Sequence, residues 1–178
     1  MLGKNEYLEL RSEYINSLLD DIRENLYDKE SHIIDNDYLD RLRDGLRKIK
    51  DDLEGIYGWL RIHETDIPID TFLILQTYIQ AMESSIEVQI NDTNNFQNIA
   101  AKIYSEKDSI PMEETVDRLN RTREQLYGLI IGFINQFSSL VAHFLDKLKS
   151  DNIEHRNISE KMFDQIFPFG LIGRIVNK

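Results

Sequence analysis

Cysteine is absent from the 178-residue sequence, and helix-breaking residues are scarce. Without cysteine the chain can form no disulfide, no thiolate zinc site, no iron–sulfur cluster and no cysteine nucleophile. The sequence has only eight glycines and three prolines, which are Pro68, Pro111 and Pro168. Long helices can therefore run uninterrupted between the prolines, whereas an all-β fold would need more turns than these residues supply.

Basic residues are few relative to acidic ones. Lysine and arginine together number 21, against 32 aspartates and glutamates, which gives a formal net charge of −11. Proteins hold a nucleic-acid backbone mainly with Lys and Arg, so this balance predicts no direct nucleic-acid binding. The N-terminal residues also lack the continuous apolar run of a signal peptide, because Lys4, Glu6, Glu9 and Arg11 interrupt them. We expect a cytoplasmic protein.

Two helices are predicted in the first third of the chain. Apolar residues recur at helical spacing between about residues 5 and 28. They are Leu8, Ile15, Leu18, Leu19, Ile22 and Leu26. After N-cap candidates at residues 35–37, a second apolar series alternates in steps of three and four. It consists of Leu39, Leu42, Leu46, Ile49, Leu53, Ile56 and Leu60. A repeat of this kind favours a long neighbouring helix and left-handed supercoiling.

Two more helices are predicted after Pro68. The third begins at about Asp70 and has the apolar positions Phe72, Leu75, Ile79, Met82, Ile86 and Ile90. Residues 91–111 open with a run of Asn, Asp and Thr, so a loop with one or two helical turns is expected there. Pro111 and the acids that follow it start the fourth helix. Its seam is Val116, Leu119, Leu126, Ile130, Phe133, Phe137, Leu140 and Phe144.

These apolar stripes predict an all-α fold. The expected architecture is an antiparallel four-helix bundle with coiled-coil-like heptad packing, plus a short C-terminal helix that opens near Asn157. Residues 1–156 would form the bundle. Residues 157–178 would form an apolar helix or tail that packs on the bundle or serves as an interface. Two long hairpins that complete their core by dimerising are the alternative, and the sequence leaves both open.

The apolar C-terminal segment is the first candidate for an interaction site. Chain ends are usually polar, yet large apolar residues crowd into positions 162–176. The candidate interface residues are Phe163, Ile166, Phe167, Phe169, Leu171, Ile172 and Ile175. Such a segment folds back onto the bundle, or it meets a second subunit, a partner protein or a membrane surface. Folding back is preferred, because an exposed patch of this size promotes aggregation.

An acidic face on the third helix is the second candidate. No lysine or arginine stands between Arg61 and Lys102, and Gln80, Glu83 and Glu87 share one stripe of that helix. A solvated surface is the ordinary interpretation of such a stripe. A docking surface for a basic protein partner is the sharper interpretation.

The fourth helix carries two further features. Gly128 and Gly132 lie four residues apart, which predicts a close helix crossing or an oligomer contact. Residues 126–145 contain no formal charge, which meets the length criterion for a membrane span. Polar residues inside that stretch and its unbroken heptad phase favour a buried bundle helix instead.

Recognisable site chemistry is otherwise sparse. Di-metal centres in four-helix bundles use Glu-x-x-His pairs, and none of the four histidines has a glutamate three residues before it. We predict no catalytic, cofactor or metal site. The preferred function is a non-enzymatic protein-interaction or assembly protein, acting as an adaptor, a complex subunit or an acidic inhibitor of a basic partner, and a homo-oligomer is expected. A histidine phosphotransfer-like module using His143 and a membrane-associated helical protein are the alternatives.

Overall fold

A computed structural model of the chain describes residues 27–28, 33–34 and 36–151. Three long helices make up nearly all of this part, and they confirm the predicted all-α class. α1 spans Asn36–Ile62, α2 spans Ile69–Ser105 and α3 spans Met112–Ser150. Before them, β1 (Tyr27–Asp28) pairs antiparallel with β2 (Ile33–Ile34).

Two predicted helices fall mostly outside the described residues. These are the first helix, predicted for residues 5–28, and the short C-terminal helix near Asn157. The count of four helices therefore stays a prediction. The predicted end of the first helix is wrong, because Tyr27 and Asp28 pair with Ile34 and Ile33 as extended chain. A residue in such a pair cannot also hold helical backbone geometry.

α1 follows its apolar repeat closely. All seven seam residues from Leu39 to Leu60 are at most 1% exposed. The exposed outer face carries charged residues in both signs, namely Asp40, Arg41, Asp44, Arg47, Lys48 and Asp51. The helix ends at Ile62, a single 3₁₀ turn follows at Glu64–Asp66, and Ile67 is extended before Pro68. That extended residue is what the proline ring favours at the position before it.

α2 runs further than its sequence suggests, and the loop predicted for residues 91–111 is wrong. The helix continues to Ser105, which leaves residues 106–111 as the connection to α3. The buried stripe continues through Thr93, Phe96 and Ala100. The Thr93 hydroxyl donates to the carbonyl of Gln89 at 2.8 Å, so a side chain that favours loops is satisfied inside the helix.

A buried arginine joins α1 to this second half of α2. Arg43 is only 8% exposed, and its guanidinium forms an ion pair with Asp40. It also donates to Asn94 Oδ1 at 3.2 Å and to Gln97 Oε1 at 2.5 Å. A buried charge is tolerated only when it is paired and hydrogen-bonded. Arg43 therefore fixes the register of α1 against the part of α2 that the sequence pattern describes as a loop.

The three helices run up, down and up. Arg43 meets Gln97 near the start of α1, and Tyr57 accepts a hydrogen bond from Gln76 near its end, so α1 and α2 are antiparallel. α2 and α3 are also antiparallel, because residues early in α2 meet residues late in α3. Thr71 lies beside Asp151, Tyr78 beside His143 and Ser85 beside Gln136. α2 packs closely against both neighbours. A void of only about 10 Å³ remains where the three helices meet, which is at the lower limit for holding one water molecule.

α3 is buried over a wider arc than its predicted seam. Six of the eight seam residues are buried, and Val116 and Leu140 are half-buried. A neighbouring row of core residues comprises Ile134, Val141, Ala142, Leu145 and Leu148. A heptad seam identifies one contact line, whereas a helix that packs against two others buries a broader face.

Candidate functional site

A groove without charge lies between α2 and α3, and we call it the neutral groove. Small residues on both helices create it, because they leave no side chain to fill the space. The residues that shape it are Ala81, Ser84 and Val88 of α2 and Gly128, Leu129 and Gly132 of α3. The groove has a volume of about 520 Å³ and is open to solvent. Among the described residues that line it, only Asp92, at one end, is charged.

The two glycines of the neutral groove face open space. Apart from the neighbouring residues and nearby backbone of α3 itself, a Cβ atom placed on Gly128 or on Gly132 would meet no heavy atom of the described residues within 4 Å. Glycine in a helix interior is destabilising by roughly 1 kcal/mol relative to alanine. No contact in the described part of the chain therefore requires glycine at either position. Within residues 36–151 no other helix closes over these two positions, so the crossing or oligomer contact expected at Gly128 and Gly132 stays a prediction.

Apolar side chains are exposed at the rim of the neutral groove. Val88 is 60% exposed and Leu129 is 48% exposed. They project beside the hollow that the small residues leave. The sequence pattern does not assign Val88 to any surface, because it lies off the buried stripe of α2. A helical wheel built on that stripe would have placed it on the solvent side next to Ala81 and Ser84.

A second apolar surface lies where α1 ends and α2 begins, and we call it the apolar end patch. It comprises Ile62, Ile69, Leu73 and Ile74, all of which are exposed. Leu73, Ile74, Thr77 and Tyr78 surround an open hollow of about 310 Å³. The end of α3 is held at this end of the bundle, because the Thr71 hydroxyl donates to Asp151 Oδ2 at 2.5 Å.

The acidic stripe of α2 lies along the edge of α1. Gln80 is exposed, whereas Glu87 forms an ion pair with Lys50 of α1 at 2.5 Å. Glu83 is half-buried. Burial raises the pKa of Glu83, the neighbouring carboxylate of Glu54 raises it further, and Lys50 opposes this shift. Lys50 therefore neutralises part of the negative charge of the stripe. This lysine belongs to α1, so the sequence of α2 alone does not reveal it.

The raised pKa of Glu83 predicts a pH-dependent effect on stability. A carboxyl group whose pKa is higher in the folded than in the unfolded state makes folding less stable as pH rises through that range. We expect Glu83→Gln to raise the free energy of unfolding at pH 7, with the gain shrinking as pH falls to 4. Urea unfolding at both pH values measures this. Glu87→Gln is the matched control and should lower stability at pH 7, because it removes the ion pair with Lys50.

His143 lies half-buried on α3. Its ring Nδ1 is 2.6 Å from the carbonyl oxygen of Ser139, one turn back along the same helix, and Nδ1 must be protonated to donate that bond. The Tyr78 ring lies 6.0 Å away and is tilted by 40°. This geometry orients the imidazole from its own helix. The phosphotransfer interpretation stays a prediction, as does the absence of catalysis.

The predicted C-terminal interface lies outside the described residues. All seven candidate interface residues from Phe163 to Ile175 are beyond residue 151 and are not described. Within residues 36–151, no group of three His, Asp or Glu side chains is arranged to hold a metal ion.

α3 also meets the length and composition criteria for a membrane span. Among the described residues it is the one helix that does so, with a mean hydropathy of 1.5 over its most apolar window. Half of that window is buried inside the bundle. The core helix of a soluble protein passes the same test, so this feature alone indicates little about location.

Comparisons with known proteins add no family to these observations. The sequence matches no protein-family model, and searches of curated proteins and of solved structures find no significant match.

Proposed function

We propose that this chain is a non-enzymatic helical assembly protein that self-associates through the neutral groove. The observation that carries the proposal is the open space at Gly128 and Gly132, on a face where both apolar and small residues are exposed. The occupant we propose is the same face of a second copy of the chain.

Shape favours a second copy as the occupant. In a two-fold dimer the same patch is used by both subunits, so each protruding group must find a hollow on an identical surface. The neutral groove has both parts, because Leu129 protrudes and the glycines beside it leave a hollow. Small residues at a helix crossing let two backbones approach closely. Two α3 helices could thus cross at their glycines, with each Leu129 packing against the other subunit.

Charge also favours this face. A chain with a net charge of −11 repels a second copy most strongly where its acids are concentrated. The outer face of α1 and the start of α3 both carry several charged side chains, whereas the neutral groove has Asp92 alone. Apposition of two neutral grooves therefore keeps most acids away from the interface, and it leaves them exposed to solvent.

The predicted four-helix bundle is part of the same proposal. α2 packs closely against α1 and α3, while α1 and α3 approach each other less. This is the relation expected if α1 and α3 are diagonal partners in a four-helix bundle. The amphipathic segment of residues 5–26 would then pack along the side shared by α1 and α3. That side is separate from the neutral groove, so a fourth helix there leaves the groove free.

Alanine substitution at the glycines tests the assembly face. In Gly128→Ala/Gly132→Ala the added methyl groups prevent the closest approach, so we expect self-association to weaken about tenfold or more. The unassembled chain should become more stable by roughly 1 kcal/mol per substitution, because alanine favours the helix and meets no neighbour. Light scattering over a concentration series and urea unfolding at low concentration measure the two effects.

Gly58→Ala is the matched control for this experiment. A Cβ at Gly58 on α1 also meets nothing within 4 Å, but Gly58 lies outside the neutral groove. It should stabilise the chain without changing the solution mass. The proposal fails if the wild-type chain is monomeric at every concentration, or if the double variant assembles as strongly as wild type.

A further inference from the structure

The apolar end patch exposes large aliphatic side chains to solvent. Ile62 is 78% exposed, Ile69 is 61% exposed and Leu73 is 50% exposed. The free energy gained on burial grows with the apolar area removed from water, so packing another segment over several such side chains is favoured. The patch is separate from the neutral groove, and none of its exposed aliphatic residues lines that groove.

The described chain ends beside this patch. Asp151 follows the last turn of α3, and two side chains hold it in place: Thr71 donates to its carboxylate at 2.5 Å, and Lys147 forms an ion pair with it at 2.9 Å. Thr71 precedes Ile74 by three residues, which is about 4.5 Å along the axis of α2. The segment that follows Asp151 therefore starts at the edge of the apolar end patch.

The sequence after Asp151 has the apolar residues needed to cover it. Met162, Phe163, Ile166 and Phe167 have the spacing of one helix face, and the same spacing recurs after Pro168 at Leu171, Ile172, Ile175 and Val176. Residues 152–161 can extend over at most about 33–36 Å. The hollow around Thr77 lies only about 9 Å from Thr71 along α2, so Phe163 is within reach of that hollow.

We propose that the C-terminal segment of residues 157–176 packs onto the apolar end patch of its own chain. The short tether decides between the same chain and a second copy, because linkage through about ten residues gives an effective concentration in the millimolar range. A free second copy at micromolar concentration cannot compete with that. The segment then acts as a cover for the end of the bundle, and assembly through the neutral groove proceeds independently of it.

A spin label placed in the hollow tests this contact in the full-length chain. The chain has no cysteine, so Thr77→Cys provides a single attachment site at an exposed position. In the ¹⁵N-labelled chain we expect the nitroxide to broaden the amide signals of residues 162–176. A label at Asp51→Cys, on the outer face of α1, is the matched control and should leave those signals sharp. Circular dichroism verifies that each labelled chain is folded.

A mixed sample distinguishes the same chain from a second copy. Spin-labelled ¹⁴N chain is added to unlabelled ¹⁵N chain, and broadening of residues 162–176 in that mixture would assign the contact to another subunit and overturn the proposal. The proposal is also overturned if the labels at Thr77→Cys and Asp51→Cys broaden the amide signals of residues 162–176 equally. The segment would then not lie at the apolar end patch. The measurement is repeated in Gly128→Ala/Gly132→Ala, in which the proposed assembly face is blocked. Its outcome is therefore independent of self-association through the neutral groove.

Two tail variants make the expected effect specific. Phe163→Ser/Phe167→Ser should abolish the broadening from the Thr77 label, because it removes two large apolar groups from the proposed contact face. Asp164→Ser, between them in sequence, should leave the broadening unchanged. If the aromatic variant keeps full broadening, apolar packing does not hold the segment and the proposal is wrong.

Discussion

Phe137→Ala is expected to lower the free energy of unfolding by about 3–5 kcal/mol. Phe137 is fully buried on α3, and its ring lies 5.5 Å from that of Phe133. Truncation removes a large apolar group from the core and leaves a cavity that the surrounding helices can close only in part. Single domains are stable by about 5–15 kcal/mol, so the loss is a large fraction of the total.

Urea unfolding followed by the fluorescence of the single tryptophan, Trp59, measures this loss. Trp59 lies half-buried on α1 and so reports on the bundle from a different helix. Met112→Ala is the control, since Met112 is a large apolar residue of α3 that is 67% exposed. It should change stability by no more than about 0.5 kcal/mol. A loss below about 1 kcal/mol for Phe137→Ala would contradict the packing of α3 described above.

Asn95→Pro is expected to destabilise the fold by about 3 kcal/mol or more. The Asn95 side chain is exposed on α2, so replacing it removes little packing. The effect comes from the backbone, because proline removes one hydrogen bond of the helix interior and its ring clashes with the preceding turn. In a loop, as the sequence pattern predicts for residues 91–111, the same substitution would be tolerated.

Met112→Pro is the matched proline control. Met112 is the first residue of α3, where the amide has no acceptor within the helix and proline is well accommodated. It should change stability by less than about 1 kcal/mol. Far-UV circular dichroism and urea unfolding compare the two variants. Equal tolerance of both prolines would show that residues 91–105 do not need helical geometry in the native protein.

The pattern of apolar residues predicts the interior of the helices well and their outer contacts poorly. The α1 seam from Leu39 to Leu60, the break at Pro68 and the start of α3 after Pro111 all follow from local rules that act over one or two turns. The C-terminal half of α2 does not. Asn and Asp favour loops in isolation, but the partner of Asn94 is Arg43, which lies 51 residues earlier in the chain.

The candidate surfaces show the same division. Spacing places Gly128 and Gly132 on one face of α3, but it cannot tell whether a helix of the same chain covers that face. The acidic stripe is visible in the sequence, whereas its neutralisation by Lys50 depends on how α1 lies against α2. A contact between distant residues is set by packing and register, and neither is encoded in a local window.

The sequence by itself determined that this is an all-α chain with long helices, an acidic surface and no cysteine chemistry. Those conclusions rest on periodicity and composition, which each segment carries alone. Only the tertiary structure decided that α2 is continuous to Ser105, that Arg43 is buried in a polar cluster, and that the glycines of α3 face an open groove. The physical reason is that burial and pairing belong to contacts between helices, and those contacts outweigh local preference when the buried stripe continues.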